Sequence, residues 1–125
     1  MQDPPEIAEL LEAVALLLRE QVAPATAGQL SFHARVAAKT LDIVRRELLL
    51  GPDAQARELQ RLHALLGAEA PEKLADANRL LCQRIAAGAI GAGTPGLLDH
   101  LMQTACDKLA IDQPGYAAHS MKEEG

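Results

Sequence analysis

The sequence predicts an all-α fold, an up-and-down bundle of about five amphipathic helices. Leu, Ala, Glu, Arg and Gln dominate the chain, and these residues form helices readily. Apolar residues recur at intervals of three and four, and β-branched residues never alternate with polar ones as they do in strands. The connections between the periodic segments are short, which favours antiparallel neighbours.

The first two helices are predicted from their start and stop signals. One runs from about Pro5 to Val22, since a proline and early acidic residues suit a helix start. The next runs from about Leu30 to Leu50 and is ended by Gly51-Pro52. The side chains expected to face the core are Ile7, Leu10, Leu11, Val14, Leu17, Leu18 and Val22, followed by Phe32, Val36, Ala37, Ile43, Val44 and Leu48.

Three further helices follow, from Asp53 to Gly67, from about Pro71 to Gly88, and from Thr94 to just before Gln113. The glycine-rich stretch ahead of the last helix lacks the lysine of a phosphate loop, so we interpret it as a flexible connector. The expected inward residues are Leu59, Leu62 and Leu66, then Leu74, Ala77, Leu81 and Ile85, then Leu97, Leu98, Leu101, Met102, Ala105 and Leu109.

Size and composition set the domain organisation. The chain has 125 residues, of which 49% are hydrophobic and 2% aromatic. This length fits one domain that buries about two thirds of its unfolded surface. We expect a single bundle over residues 1–113 and a polar tail over 114–125. With so few aromatic residues, the core has to consist of Leu, Ala, Val and Ile.

Charge, cysteine and signal content narrow the class of protein. A net charge of −5 and few aromatic rings argue against nucleic-acid binding. The two cysteines, Cys82 and Cys106, are expected to be buried, reduced thiols. The N-terminus has no basic region, and the apolar stretch Ala13–Leu18 is too short for a membrane span. These features predict a cytoplasmic protein that binds no membrane.

The sequence contains no recognisable catalytic, cofactor or metal motif. The four histidines are His33, His63, His100 and His119, and no two have the i, i+4 spacing of a helical metal site. No serine or cysteine lies in a nucleophile motif. We therefore expect neither a metal nor a cofactor, and we expect no enzymatic activity.

The second helix carries polar residues in an unusual position. His33, Thr40 and Glu47 follow one another at intervals of seven, so they lie nearly in a line within the predicted apolar arc. Buried polar groups need partners, because each unsatisfied group costs about 1–3 kcal/mol. Two interpretations stay open: a structural polar seam that fixes the helix register, or a ligand pocket.

Other charged residues are expected to pair between helices. Arg35, Lys39, Asp42 and Arg46 lie on a different face of the second helix, where they would meet an acidic face such as that of Glu9 and Glu12. Lys108 and Asp112 lie at the edge of the last apolar stripe, and we expect one of them to bond to Glu47 or Arg35.

The segments Leu30–Ala37 and Leu41–Leu48, with Asp107–Ile111 and Pro114–Tyr116, resemble an uncharacterised family of small bacterial helical proteins, a domain of unknown function. The most specific piece is Phe32-His33-x-Arg35-Val36-Ala37. The resemblance covers nearly the whole chain and implies no catalytic residues. Such proteins are often encoded beside acyl-CoA dehydrogenases and an aminoglycoside-phosphotransferase-like kinase, which implies an accessory role. Lys39 departs from the family, in which asparagine is frequent.

Two functions compete on this basis. The first is a non-catalytic interaction protein that binds a protein partner or a second copy of itself. Leucines outside the main stripes would contribute to such a surface if exposed together; they are Leu16, Leu49, Leu65 and Leu80. The second is a protein that binds a small ligand or an acyl chain in a pocket around His33, Thr40 and Glu47.

Overall fold

The all-α prediction is confirmed by a computed structural model, which describes residues 4–115 and has no strand among them. The first predicted helix continues to Ala25, three residues beyond the predicted end at Val22, and a π-helical turn interrupts it at Leu18–Val22. The elements are α1 (Pro4–Leu17), the π-helical turn (Leu18–Val22), α2 (Ala23–Ala25), α3 (Gly28–Leu66), a 3-10 turn (Gly67–Glu69), α4 (Leu74–Ala86) and α5 (Leu97–Asp112).

The prediction that Gly51-Pro52 ends a helix is wrong. The second and third predicted helices form one helix, α3, which is 39 residues long and contains Pro52. A proline inside a helix removes one backbone hydrogen bond and crowds the preceding turn, at a cost of about 3 kcal/mol. Good helix formers on both sides offset this cost. The chain nevertheless divides here into two compact units, Met1–Pro52 and Asp53–Gly125.

Small side chains line the contact between α1 and α3 in the first unit. Two bonds show that the helices are antiparallel. The Arg19 guanidinium lies 2.6 Å from the Asp42 carboxylate, and the Ser31 hydroxyl donates to the Ala23 carbonyl at 2.8 Å. The residues buried in this unit include Ala8, Ala15, Ala23, Ser31, Ala34 and Ala38. Because alanine is short, side chains at these positions allow two helices to approach closely.

Several large apolar residues predicted for this core are exposed instead. Leu10, Val14 and Leu17 of α1 and Phe32, Val36 and Val44 of α3 are between 43% and 58% exposed. The prediction fails because alanines and leucines alternate around each helix, so both stripes have helical periodicity. Close packing along the alanine stripe leaves the larger stripes beside it partly in water.

Leucines form the core of the second unit. The buried cluster consists of Leu62, Leu66, Ala77, Leu81, Ile90 and Leu97. Five of these six were predicted to face inward, and Leu59 and Leu74 pack against them. The leucines outside the main stripes do not form one exposed patch, since Leu65 and Leu80 also pack on this cluster. By contrast, the expected core residues Ile85, Leu98, Leu101 and Met102 are between 41% and 61% exposed.

Side chains close the helix ends around the connectors of the second unit. Arg84 donates to the Leu66 carbonyl at 2.9 Å and pairs with Glu69, which completes the end of α3. Thr94, expected to cap the last helix, instead accepts a hydrogen bond from the Gly91 amide at 3.0 Å within the connector. The helix α5 begins three residues later, after Gly96.

Three further expectations concern the thiols, the membrane and the tail. Cys82 is exposed and Cys106 is half-buried, so the predicted burial is wrong for the former. Within residues 4–115, no helix has both the length and the apolar character that a bilayer crossing requires. The predicted polar tail lies outside the described residues from position 116 onward.

The alanine contact leads to a stability prediction. We expect Ala15→Leu to lower the free energy of unfolding by about 1–3 kcal/mol, because the added atoms have no space between α1 and α3. Ala13→Leu is the control, since Ala13 is exposed in the same helix. Its effect should stay within about 0.5 kcal/mol. Urea denaturation measures both, and equal effects would contradict the close approach of the two helices.

Candidate functional site

The polar line on the second predicted helix does not face the core. His33, Thr40 and Glu47 are all exposed, so the expectation of a buried polar seam is wrong. The Thr40 hydroxyl donates to the Val36 carbonyl at 3.0 Å, within its own helix. The line lies opposite the alanine stripe of α3. Both sets of residues recur at intervals of seven, so the spacing alone does not decide which of them faces the core. A ligand role for these residues stays a prediction.

The predicted ion pairs are realised only in part. Asp42 does pair with the first helix, but its partner there is Arg19. Arg35 and Lys39 are exposed on α3. Lys108 and Asp112 are exposed on α5, and their predicted bond to Glu47 or Arg35 stays a prediction.

A polar cluster that the sequence did not reveal joins α3 and α5 in the second unit. The Arg61 side chain donates from Nε to His100 Nδ1 and from Nη2 to the Thr104 hydroxyl, both at 3.1 Å. His100 is only 2% exposed. Arg61 precedes the buried Leu62, and His100 lies three residues after the buried Leu97, so helical spacing could have placed both near the core.

The electrostatics of this cluster keep the imidazole neutral. Because Arg61 donates to Nδ1, that nitrogen carries no proton, and the neutral ring has its hydrogen on Nε2. Burial, followed by the Arg61 guanidinium, lowers the pKa of His100 from its ordinary value of 6.5. The carboxylates of Glu58 and Asp99 act in the opposite direction. The histidine therefore serves as a hydrogen-bond acceptor that fixes the arginine.

A groove lies beside the cluster, but it is small for a ligand site. Its volume is about 220 Å³, whereas ligand pockets usually hold about 300–1,000 Å³. Both ends of the Arg61 fork already bond to side chains within the protein. Across residues 4–115, no group of three or more His, Cys, Asp and Glu is placed to hold a metal. The groove is lined by Arg61, Ala64, Leu65, Pro95, Gly96 and Asp99.

The first unit carries exposed side chains of another kind. Phe32 is 58% exposed, and Val36 is 45% exposed one turn further along α3. Arg35 and Lys39 are also exposed, three residues after Phe32 and Val36 respectively. These four residues share one side of the helix, because they are spaced by three and four. We call them the Phe32 surface.

Comparison with known proteins places the chain in a family. A family model described as Domain of unknown function (DUF6285) matches residues 24–116, about three quarters of the chain. The chain belongs to this family. The matched segment contains the Phe32 surface and the Arg61–His100–Thr104 cluster, and it leaves out α1. No match was found among curated proteins or among solved structures.

The buried histidine predicts a pH-dependent stability. Its folded pKa lies below the unfolded value, so the unfolded chain binds more protons and stability falls as the pH falls. The contribution of the neutral His100 imidazole to the free energy of unfolding should be complete above about pH 6.5. It should be lost as the pH falls through the pKa of His100 in the folded state. Urea titrations at several pH values would show His100→Asn to have a shallower acid loss than wild type. A constant difference at every pH would contradict the linkage.

The arginine fork predicts a second effect. Arg61→Lys should lower the free energy of unfolding by about 1–3 kcal/mol, because lysine cannot bond to His100 and Thr104 at once. Arg79→Lys is the control, since Arg79 is exposed and its bond to Asp76 lies on the surface of one helix. The control should change stability by less than about 0.5 kcal/mol. Equal losses of stability in both variants would show that the two bonds of Arg61 contribute no more than the exposed ion pair of Arg79.

Proposed function

We propose that this member of DUF6285 is a non-catalytic interaction protein that docks a partner protein through the Phe32 surface. The carrying observation is the 58% exposure of Phe32 on a regular helix. An aromatic side chain in water forgoes the stabilisation of burial, about 1.5–3 kcal/mol for full burial of such a side chain. A partner that covers the ring recovers this free energy.

The residues around the ring indicate what the partner surface looks like. Arg35 and Lys39 flank Phe32 and Val36, so the surface has an apolar centre with a basic edge. Interfaces that form and dissociate commonly have an apolar core, a polar rim and aromatic or arginine anchors. The complementary partner presents an apolar pocket with carboxylates beside it.

The family resemblance supplies candidate partners. Proteins of this kind are often encoded beside an aminoglycoside-phosphotransferase-like kinase and acyl-CoA dehydrogenases. An accessory role toward one of these enzymes agrees with a chain whose described polar cluster is occupied in holding helices together. The alternative of a small-ligand pocket at His33, Thr40 and Glu47 is less well supported, because their side chains are exposed and ligand sites enclose most of the ligand.

A binding experiment tests the proposal. The chain is titrated against the purified kinase-like protein and, separately, the dehydrogenase, by calorimetry. We expect one of them to bind, and we expect Phe32→Ala to weaken that binding by about 30-fold or more, as loss of an aromatic anchor does. Lys39→Glu should also weaken the binding, and the loss of affinity should be larger at low salt than at high salt. The introduced carboxylate repels the carboxylates of the partner, and salt screens this repulsion.

The matched control is Leu98→Ala, which removes a 61% exposed side chain from α5. It should leave the affinity unchanged. The proposal fails if neither enzyme binds, or if binding survives Phe32→Ala unchanged.

A further inference from the structure

We propose that a second copy of this chain covers a second surface of the first unit, on the side of the hairpin away from the Arg19–Asp42 ion pair. We call this surface the leucine–valine face. In α1 and the following turn it consists of Ile7, Leu10, Leu11, Val14, Leu17 and Leu18, and in α3 it consists of Leu30, Ala37, Leu41, Val44 and Leu48. It is separate from the Phe32 surface, and it goes beyond the function proposed above.

The Arg19–Asp42 ion pair shows that these two rows share one side of the hairpin. The pair bridges the antiparallel helices on one flank of the alanine stripe. A helix turns by about 100° per residue, so the residues just before each partner point to the other flank. Those residues are Leu18 and Leu41, and both are half-buried. Apart from Leu17, which adjoins Leu18, the other residues of each row lie three, four, seven, eight or eleven positions from these two, as residues on one side of a helix do.

The face is apolar throughout and large enough for an interface. None of its side chains is charged, although Glu9 and Glu12 lie on the opposite flank of the same helix. Five of its side chains are between 43% and 61% exposed; they are Leu10, Val14, Leu17, Leu30 and Val44. Together they leave on the order of 500 Å² in water, the size of the largest patch on a typical monomer. With the half-buried neighbours, the face approaches the roughly 800 Å² per partner of a standard interface.

The hairpin itself gives a reason for such a cover. The buried apolar residues of the first unit are the alanines of the stripe, at most 5% exposed. The methyl group of alanine removes little surface from water when it is buried. The gain in free energy is about 0.8 kcal/mol for a group of this size. The leucines and valines that would stabilise a compact unit lie outside this contact. A second pair of helices would bury them.

A second copy fits this face better than an unrelated protein does. The rows 7, 11, 14, 18 and 37, 41, 44, 48 both have four-three-four spacing, as in helical bundles. A two-fold axis parallel to the helices sets α1 of one copy against α3 of the other, antiparallel, as within the hairpin. Residues 1–52 hold five basic and seven acidic side chains, so two copies repel each other little.

The molecular mass in solution tests this inference. Light scattering and sedimentation equilibrium, from about 1 to about 100 μM, should give a mass twice that of the 13.3 kDa chain. We expect Val14→Lys to shift the protein to the single-chain mass, because a buried lysine has no partner in the face. Lysine forms helices better than valine, so circular dichroism should show unchanged helicity.

The matched control is Leu16→Lys, which changes a 41% exposed residue of the same helix on the opposite flank. It should retain the double mass, as should Phe32→Ala. Val44→Lys repeats the test from α3 if Val14→Lys does not fold. A single-chain mass for wild type at every concentration overturns the inference, as does equal dissociation of Val14→Lys and Leu16→Lys. Neither result affects the enzyme titrations with Phe32→Ala, so the two proposals fail separately.

Discussion

The burial of alanines along one stripe of α1 and one stripe of α3 determines most of what the first unit presents to its surroundings. Ala15 and Ala38 are at most 1% exposed, so two helices meet where neither has a long side chain. Large residues cannot enter this contact and remain on its flanks. One flank mixes charges with apolar groups and includes the Phe32 surface, and the other carries the leucine–valine face. A single steric constraint therefore accounts for both the Phe32 surface and the leucine–valine face.

The second unit solves the packing problem in a different way. Leu62 and Leu81 fill its interior with branched side chains, and the half-buried Arg61 links α3 to α5 through the buried His100. A hydrogen-bonded pair of this kind specifies one arrangement of two helices, because any slip leaves donors without acceptors. The neutral imidazole avoids the cost of burying a positive charge beside the arginine. The polar side chains of this cluster therefore help to hold α3 and α5 together.

The sequence was a good guide to helix content and to the buried cluster of the second unit, and a poor guide to the packing of the first unit. Leu62, Leu66 and Leu81 could be placed inside because they recur at helical spacing on stripes rich in leucine. In α1, alanine and leucine stripes lie side by side, and periodicity cannot decide between them. The same ambiguity put His33 inside the arc. The bond between Arg61 and His100 could not be predicted, because a single histidine among apolar residues gives the same sequence pattern whether or not it bonds to an arginine.

The proline within α3 has a consequence for how the molecule opens. Pro52 has no amide hydrogen, so the Leu48 carbonyl lacks its usual backbone donor where the two compact units join. Local opening in a native protein starts where backbone protection is weakest. The turn around that carbonyl is therefore held by one backbone hydrogen bond fewer than the turns on either side of it. The units on either side would then open with separate protection factors although one continuous helix runs through both.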